Sequence, residues 1–226
     1  MAKGTIPKKI HHVWVGDCKP TPRMEACMES WKKHLPDYEI FRWNEGNSPM
    51  GHPYTARMHQ KKKWAFVSDY IRFWALKEHG GLYLDTDMEV LKPLDDLLQN
   101  QVFFGRASSD GHIGCGIIGA RPFDPFIGKI LEEYDRIATK GIVETSPQLV
   151  ARVYENYAHK KEIRIYEPKY LYPCNAGEKG TKEKLKEAYA NHHWEESWVS
   201  FRQLRKVLRR MGILQLIRKI GSFYPD

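Results

Sequence analysis

Between Ala65 and Leu98 the spacing of apolar side chains changes from a helical period to an extended one within a few residues. Ala65, Phe66, Tyr70, Phe73, Trp74 and Leu76 recur at helical spacing, and Gly80-Gly81 supplies the left-handed backbone that ends a helix, which predicts a helix stopping near His79. Leu82-Tyr83-Leu84 then predicts a short strand with Asp85-Thr86-Asp87 at its carboxyl end. Upstream, the alternating, β-branched run from Ile6 to Val15 closes on Gly16 and predicts a first strand. Met24 to His34 has helical spacing, Leu35-Pro36-Asp37 breaks it, and Tyr38 to Trp43 alternates as a second strand, so the three form a βαβ unit. Residues 47–59 are rich in Pro, Gly and Ser and predict a loop. Downstream, Val102 to Gly105 and Ile113 to Ala120 predict strands, the second carrying glycines that permit close approach of backbone. Pro125 to Thr139 predicts an amphipathic helix, Gln148 to Tyr157 another that opens at Pro147, and Ile163 to Tyr166 the last strand. Glu178 to Lys186 predicts a solvated loop entering a helix. Strands alternating with helices define the α/β class.

At 226 residues the chain fits one such domain with a sizeable core. The division expected is a domain over residues 1–200 and a basic amphipathic helix over 201–226. In the second, Leu204, Val207, Leu208, Met211, Leu214, Leu216, Ile217 and Ile220 make an apolar stripe. The net charge of +8 admits nucleic acid, an anionic membrane or a polyphosphorylated substrate as partner. Seven Lys or Arg and no acid lie between Val199 and Phe223, and the remainder of the chain is nearly balanced. No nucleic-acid-binding motif accompanies that tail, so the expectation is no nucleic acid and an anionic membrane surface met through the terminal helix. No apolar run is long enough to span a bilayer, and MAKGTIPKK leads straight into a strand, from which a cytoplasmic location, peripheral on the inner face of the membrane, is expected. Cys18, Cys27, Cys115 and Cys174 lack metal-ligand spacing and read as free thiols.

In an extended segment residues two apart project to one side, so Asp85 and Asp87 face one small site if the strand continues through Thr86. Two carboxylates repel unless a cation lies between them, and a hard divalent ion that also takes phosphate oxygens suits the pair. A solvated turn would use the same residues. Asp69 and Arg72 share a helix face, where the plainest role is a surface ion pair of roughly 0.3 kcal/mol.

Taken together, Ser68-Asp69-x-x-Arg72, Gly80-Gly81-x-Tyr83-x-Asp85-x-Asp87 and Pro93-Leu94-Asp95 resemble the sugar-nucleotide-binding segment of the DxD-containing family 32 glycosyltransferases. That family includes initiating mannosyltransferases and capsule and lipopolysaccharide transferases, with the clostridial glucosylating toxins more distant. The opening Ile6-Pro7-Lys8-x-Ile10-His11-x-x-Trp14-x-Gly16 and the closing His192-x(4)-Ser197-Trp198 are similar to family motifs as well. The resemblance implies a GT-A fold, a mostly parallel central sheet flanked by helices with a metal site at the strand ends. It further implies nucleotide-sugar contacts from Val13, Trp14, Asn44, Ser68, Asp69, Arg72, Tyr83, Asp85, Ser197 and Trp198, with Asp69 and Arg72 on the sugar and Trp14 and Tyr83 framing the nucleotide. The implied metal is Mn²⁺ (or Mg²⁺), held directly by Asp87 and with Asp85 and His192; His193 is the alternative to His192. Asp85, Asp87 and Arg72 are the implied catalytic residues. Two places depart from the pattern: Gly114-Cys115 stands where the family carries an Asn, and Ser146 where its Thr-Gly-Pro turn has Gly.

The expected reaction is therefore metal-dependent transfer of a hexose, with retention of configuration, from a sugar nucleotide (a UDP-sugar favoured over a GDP-sugar) to a hydroxyl of a glycan or lipid-linked glycan. A metal-dependent sugar-nucleotide phosphohydrolase and a non-catalytic nucleotide-sugar-binding protein would use the same carboxylates.

Overall fold

The structure is a computed structural model and describes residues 4–107 and 112–195. The predicted helix 201–226, Ser197 and Trp198 lie outside the described residues. Its strands are β1 (Lys9–Val13), β2 (Glu39–Trp43), β3 (Gly81–Leu84), β4 (Met88–Val90), β5 (Val102–Arg106), β6 (Ile113–Ala120), β7 (Ile163–Tyr166) and β8 (Ala190–His192). Its helices are α1 (Pro22–His34), α2 (Pro53–Gln60), α3 (Trp64–His79), α4 (Pro125–Thr139), α5 (Ser146–Glu155) and the single turns α6 (Pro168–Leu171) and α7 (Lys182–Leu185).

Local chemistry accounts for most of these boundaries. The Thr21 hydroxyl accepts from the Met24 N–H and Pro22 opens α1, while the Asp124 carboxylate accepts from Phe126 and Ile127 N–H at the start of α4. Gly80, at φ +60°, turns the chain out of α3. Gly81 follows at φ +111°, and a Cβ there would come within 2.7 Å of the Lys9 carbonyl oxygen on the neighbouring strand. The glycine pair is thus needed twice, to end the helix and to let β3 lie against β1.

The sheet has six strands in the order β2-β1-β3-β6-β5-β7. β1 runs parallel to both β2 and β3, β5 runs parallel to β7, and β6 is antiparallel to both of its neighbours. Alternate residues serve two cores. Val13, Tyr83, Phe104 and Ile118 join the cluster under α2, α3, α4 and α5, whereas Ile10, Leu82, Leu84, Phe103 and Ile117 join Trp31 of α1, Leu35 just after it, and Met88 and Val90 of β4. Within β6 the alternation slips, since Ile113 and Cys115 share a face with Ile118 and Ala120 rather than with Ile117. The partner strand shifts register between Phe103 and Gly105 at the same level.

Two expectations are corrected. Residues 53–60 form α2 and not a loop: the His52 imidazole accepts from the Tyr54 N–H, Pro53 sits in the first turn, and Tyr54 and Met58, one turn apart, are buried. The strand does not continue through Thr86, because the Met88 N–H donates to the Asp85 carbonyl at 2.9 Å and closes a turn. Beyond that turn β4 pairs antiparallel with β8, Met88 opposite His192 and Val90 opposite Ala190, a second sheet that no local pattern announces. Among the described residues no helix is long and apolar enough to cross a membrane.

Candidate active site

The inner face of α3 carries Ser68, Asp69 and Arg72 one helical turn apart. Asp69 and Arg72 are 7% and 6% exposed, so the expected surface ion pair is an interior one. The Arg72 guanidinium places Nη2 2.9 Å from Asp69 Oδ1 and 3.5 Å from Asp85 Oδ1, and Nη1 donates to the Cys115 carbonyl at 2.7 Å. Its plane lies over the Tyr83 ring, 4.6 Å from the centroid. Burial alone would lower the Arg72 pKa, but Asp85, the Tyr83 ring oxygen and Asp69 outweigh it and lift the value well above the ordinary one, so the group is a fixed cation. Burial pushes the Asp69 carboxyl upward, against Arg72 and two donors from Ser146.

A relay of hydroxyls runs from this pair to the motif. Arg72 Nη2 donates to Ser68 Oγ at 3.2 Å, Ser68 Oγ lies 3.1 Å from the Tyr83 hydroxyl, and that hydroxyl donates to Asp85 Oδ1 at 2.7 Å. Tyr83, expected to frame the nucleotide, is 1% exposed, and its hydroxyl holds Asp85.

The turn, rather than strand alternation, brings the two motif carboxylates together. Asp85, Asp87 and His192 each present a ligand atom, and the three atoms lie within 4.8 Å of one another. His192 Nε2 is 3.1 Å from Asp87 Oδ1, and the Glu195 N–H donates to Asp87 Oδ2 at 2.7 Å. Burial raises the Asp87 pKa, and His192 with the backbone N–H of Glu195 more than offsets this, leaving the carboxyl below its usual range. His193 faces elsewhere: its Nε2 meets Glu89 Oε2 at 2.8 Å and its Nδ1 meets Arg23 Nη1 at 3.3 Å. Of the two histidines, His192 is the one placed to ligate. Two carboxylates and one imidazole fit a divalent transition ion such as Mn²⁺, since imidazole is a poor partner for Mg²⁺.

Several neighbours that the sequence reading passed over hold this geometry. The Tyr172 hydroxyl accepts from the Gly116 and Ile117 N–H groups at 2.8 and 3.0 Å, just where the β6 alternation slips. A Cβ at Gly114 or Gly105 would come within 2.6 or 2.8 Å of the Tyr172 ring, so the glycines make room for it. Tyr172 stands edge-on to His192, and Trp194 packs on His192 with ring centroids 4.2 Å apart. Trp194 has φ +56°, and its indole N–H donates to the Cys174 carbonyl at 3.0 Å. That left-handed residue turns the chain so that the next N–H, of Glu195, reaches Asp87. The glycines were the legible signal; their partner, more than fifty residues away, was not.

At the other edge of the site, Val13 is packed in the core and the Trp14 indole N–H donates to the Cys18 carbonyl at 2.8 Å, pinning the loop after β1. Asn44 Oδ1 accepts from the Gly46 N–H at 2.8 Å, so that oxygen is engaged in the turn after β2.

The mixed six-stranded sheet, with helices on both faces and this cluster beyond β3, has the GT-A fold found in glycosyltransferases. The chain superposes on the PaToxG glycosyltransferase with a TM-score of 0.57 over 70% of this chain and 73% of that one, at 17% identity, a likeness of fold. Residues 21–104 match the family described as "Glycosyltransferase sugar-binding region containing DXD motif". An uncharacterized glycosyltransferase of Acanthamoeba polyphaga mimivirus is 27% identical over 222 residues, 89% of this chain and 87% of the viral protein. Inositol phosphoceramide mannosyltransferase 3 of Schizosaccharomyces pombe is 27% identical over 138 residues, 59% of this chain and 38% of that protein. The chain thus spans most of the viral relative and less than half the length of the yeast one.

Proposed function

We propose that this glycosyltransferase moves a hexose from a nucleoside-diphosphate sugar to a hydroxyl of a glycan or glycolipid, with a divalent cation held by Asp85, Asp87 and His192. The observation that carries the reading is the convergence of those three ligand atoms within 4.8 Å beside the buried Asp69–Arg72 pair. When bound, the cation supplies Lewis-acid stabilisation of the charge that develops on the departing diphosphate. The chain's own part is positional and electrostatic. Asp69 and Arg72 face the donor sugar, Arg72 also sets a permanent positive charge 3.5 Å from Asp85, and Tyr83 fixes which Asp85 oxygen remains available. Val13, Trp14 and Asn44 border the nucleotide, and the family resemblance assigns Ser197 and Trp198, outside the described residues, to the diphosphate. Retention of configuration is supported by the same resemblance. A lipid-linked acceptor is supported by the name of the yeast relative, an inositol phosphoceramide mannosyltransferase, and by the basic stretch within 201–226.

The test is a transfer assay with labelled GDP-mannose and UDP-glucose, Mn²⁺ and a panel of glycan and glycolipid acceptors. Product that requires acceptor, disappears with EDTA and returns with Mn²⁺ is expected. Free sugar released without acceptor would instead mark a phosphohydrolase, and activity indifferent to EDTA would remove the cation from the reading.

A further inference from the structure

Ser146 opens α5, and its backbone N–H, like those of any first helical turn, has no partner inside the helix. It donates to Asp69 Oδ2 at 3.2 Å, and the Ser146 hydroxyl donates to Asp69 Oδ1 at 2.6 Å. Arg72 Nη2 is 2.9 Å from the same Oδ1. A carboxylate oxygen accepts about two hydrogen bonds, so Oδ1 is filled and Oδ2 keeps one lone pair. The charged carboxylate also sits at the positive end of α5. Ser146 is itself 2% exposed, and the segment that carries it is fixed from outside the site. Arg57 donates to the Ala138 and Ile142 carbonyls, the Tyr54 hydroxyl donates to the Glu144 carbonyl, and Arg152 binds the Glu144 carboxylate at 2.7 Å.

We propose that Ser146 is a positioning residue for the donor sugar, one that saturates Asp69 Oδ1 and so presents Oδ2 as the single acceptor for a sugar hydroxyl. The inference rests on the reading that Asp69 faces the donor sugar. A glycine at this place would keep the N–H and lose the hydroxyl, leaving an open lone pair on each carboxylate oxygen and two ways to receive the sugar. The short Oγ–Oδ1 contact is of the charge-assisted kind, stronger than a neutral hydrogen bond, and the Cys115 thiol packed beside Ser146 offers only a weak donor in its place.

The test compares wild type with Ser146→Ala and Ser146→Gly by calorimetry in Mn²⁺, using GDP against GDP-mannose and UDP against UDP-glucose, with thermal melts to confirm folding. The wild type is expected to bind one sugar nucleotide more tightly than its bare diphosphate. In both variants that gain should shrink by at least about tenfold, the size of one hydrogen bond to a charged group, with diphosphate affinity unchanged. Equal losses for diphosphate and sugar nucleotide, or a sugar gain retained by both variants, would overturn the role of Ser146 and leave the donor-sugar reading standing. A wild type that gains nothing from either sugar would remove that reading and this inference with it.

Discussion

Asp85 and Asp87 share one motif and are held by different things. Asp87 takes the Glu195 N–H and faces His192, while Asp85 takes the Tyr83 hydroxyl and lies near Arg72. Asp87→Asn replaces an anionic ligand by a neutral amide and leaves the neighbouring donors in place. Removing a partner of a metal ligand commonly costs 10- to 100-fold, so losing the ligand itself should lower Mn²⁺-dependent turnover by more than about 100-fold with an unchanged circular dichroism spectrum. Retained turnover would count against Asp87 as a ligand. Arg72 differs because it is interior: truncation to Ala strands Asp69 and Asp85 without their cation. Breaking a buried pair costs roughly 3–5 kcal/mol, far more than the surface pair that spacing alone suggests, so Arg72→Ala should show a fall in melting temperature as well as in turnover. A variant as stable as wild type would mean that water or another cation reaches the pair. The spacing of Asp69 and Arg72 was readable, but their burial was not, because it is created by β6 and α5, which the local sequence does not contain.

At the scale of elements, α3, β3, α4 and β7 were legible because their caps and periods lie within their own residues. α2 was hidden by the Pro, Gly and Ser around it, and β4 and β8 by being three residues each and finding their partner about a hundred residues away. Strand β1 carries a testable consequence of its packing. His11 uses both ring nitrogens in its neutral form, Nε2–H toward the Gly80 carbonyl at 2.8 Å and Nδ1 accepting from the Trp43 indole at 3.1 Å. His12 is buried with Nδ1 lacking a hydrogen-bond partner among the described residues. Burial pushes both down to about 4 from 6.5. Between those values the unfolded chain binds more protons than the folded one, so stability rises with pH, is fully present above about 6.5 and is lost as pH falls toward 4. The loss amounts to roughly 3 kcal/mol for each histidine at the lower limit. Urea midpoints should therefore be level above pH 7 and decline towards pH 4.5, and His12→Leu, which fills the same apolar space without a titrating group, should flatten part of that decline. An unchanged slope in the variant would show that carboxylates alone set the acid limit.

Across the whole molecule the site draws on α3, β3, the turn after it, β6, α5 and the segment after β8, so the sheet's central strands act as the common frame on which distant stretches meet. The family segment supplies only part of this set; Ser146, Tyr172 and His192 all follow it in the chain. Among the described residues both apolar clusters are built from buried residues between Ile6 and Ala190. Residues 201–226 lie outside the described residues, and their sequence offers cations without a single acid up to Phe223. Each cation near an anionic leaflet is worth about 1 kcal/mol, an attraction that salt screens. If the tail serves only a lipid surface, a chain ending at Ser200 should melt within a few degrees of the full protein and glycosylate a soluble acceptor at a similar rate. The full chain should sediment with vesicles containing phosphatidylserine at low salt and be released as salt is raised, and the shortened chain should stay in the supernatant. Equal partition of the full chain onto neutral and anionic vesicles would give the tail no lipid role, and a shortened chain that melts well below the full one would make those residues part of the core.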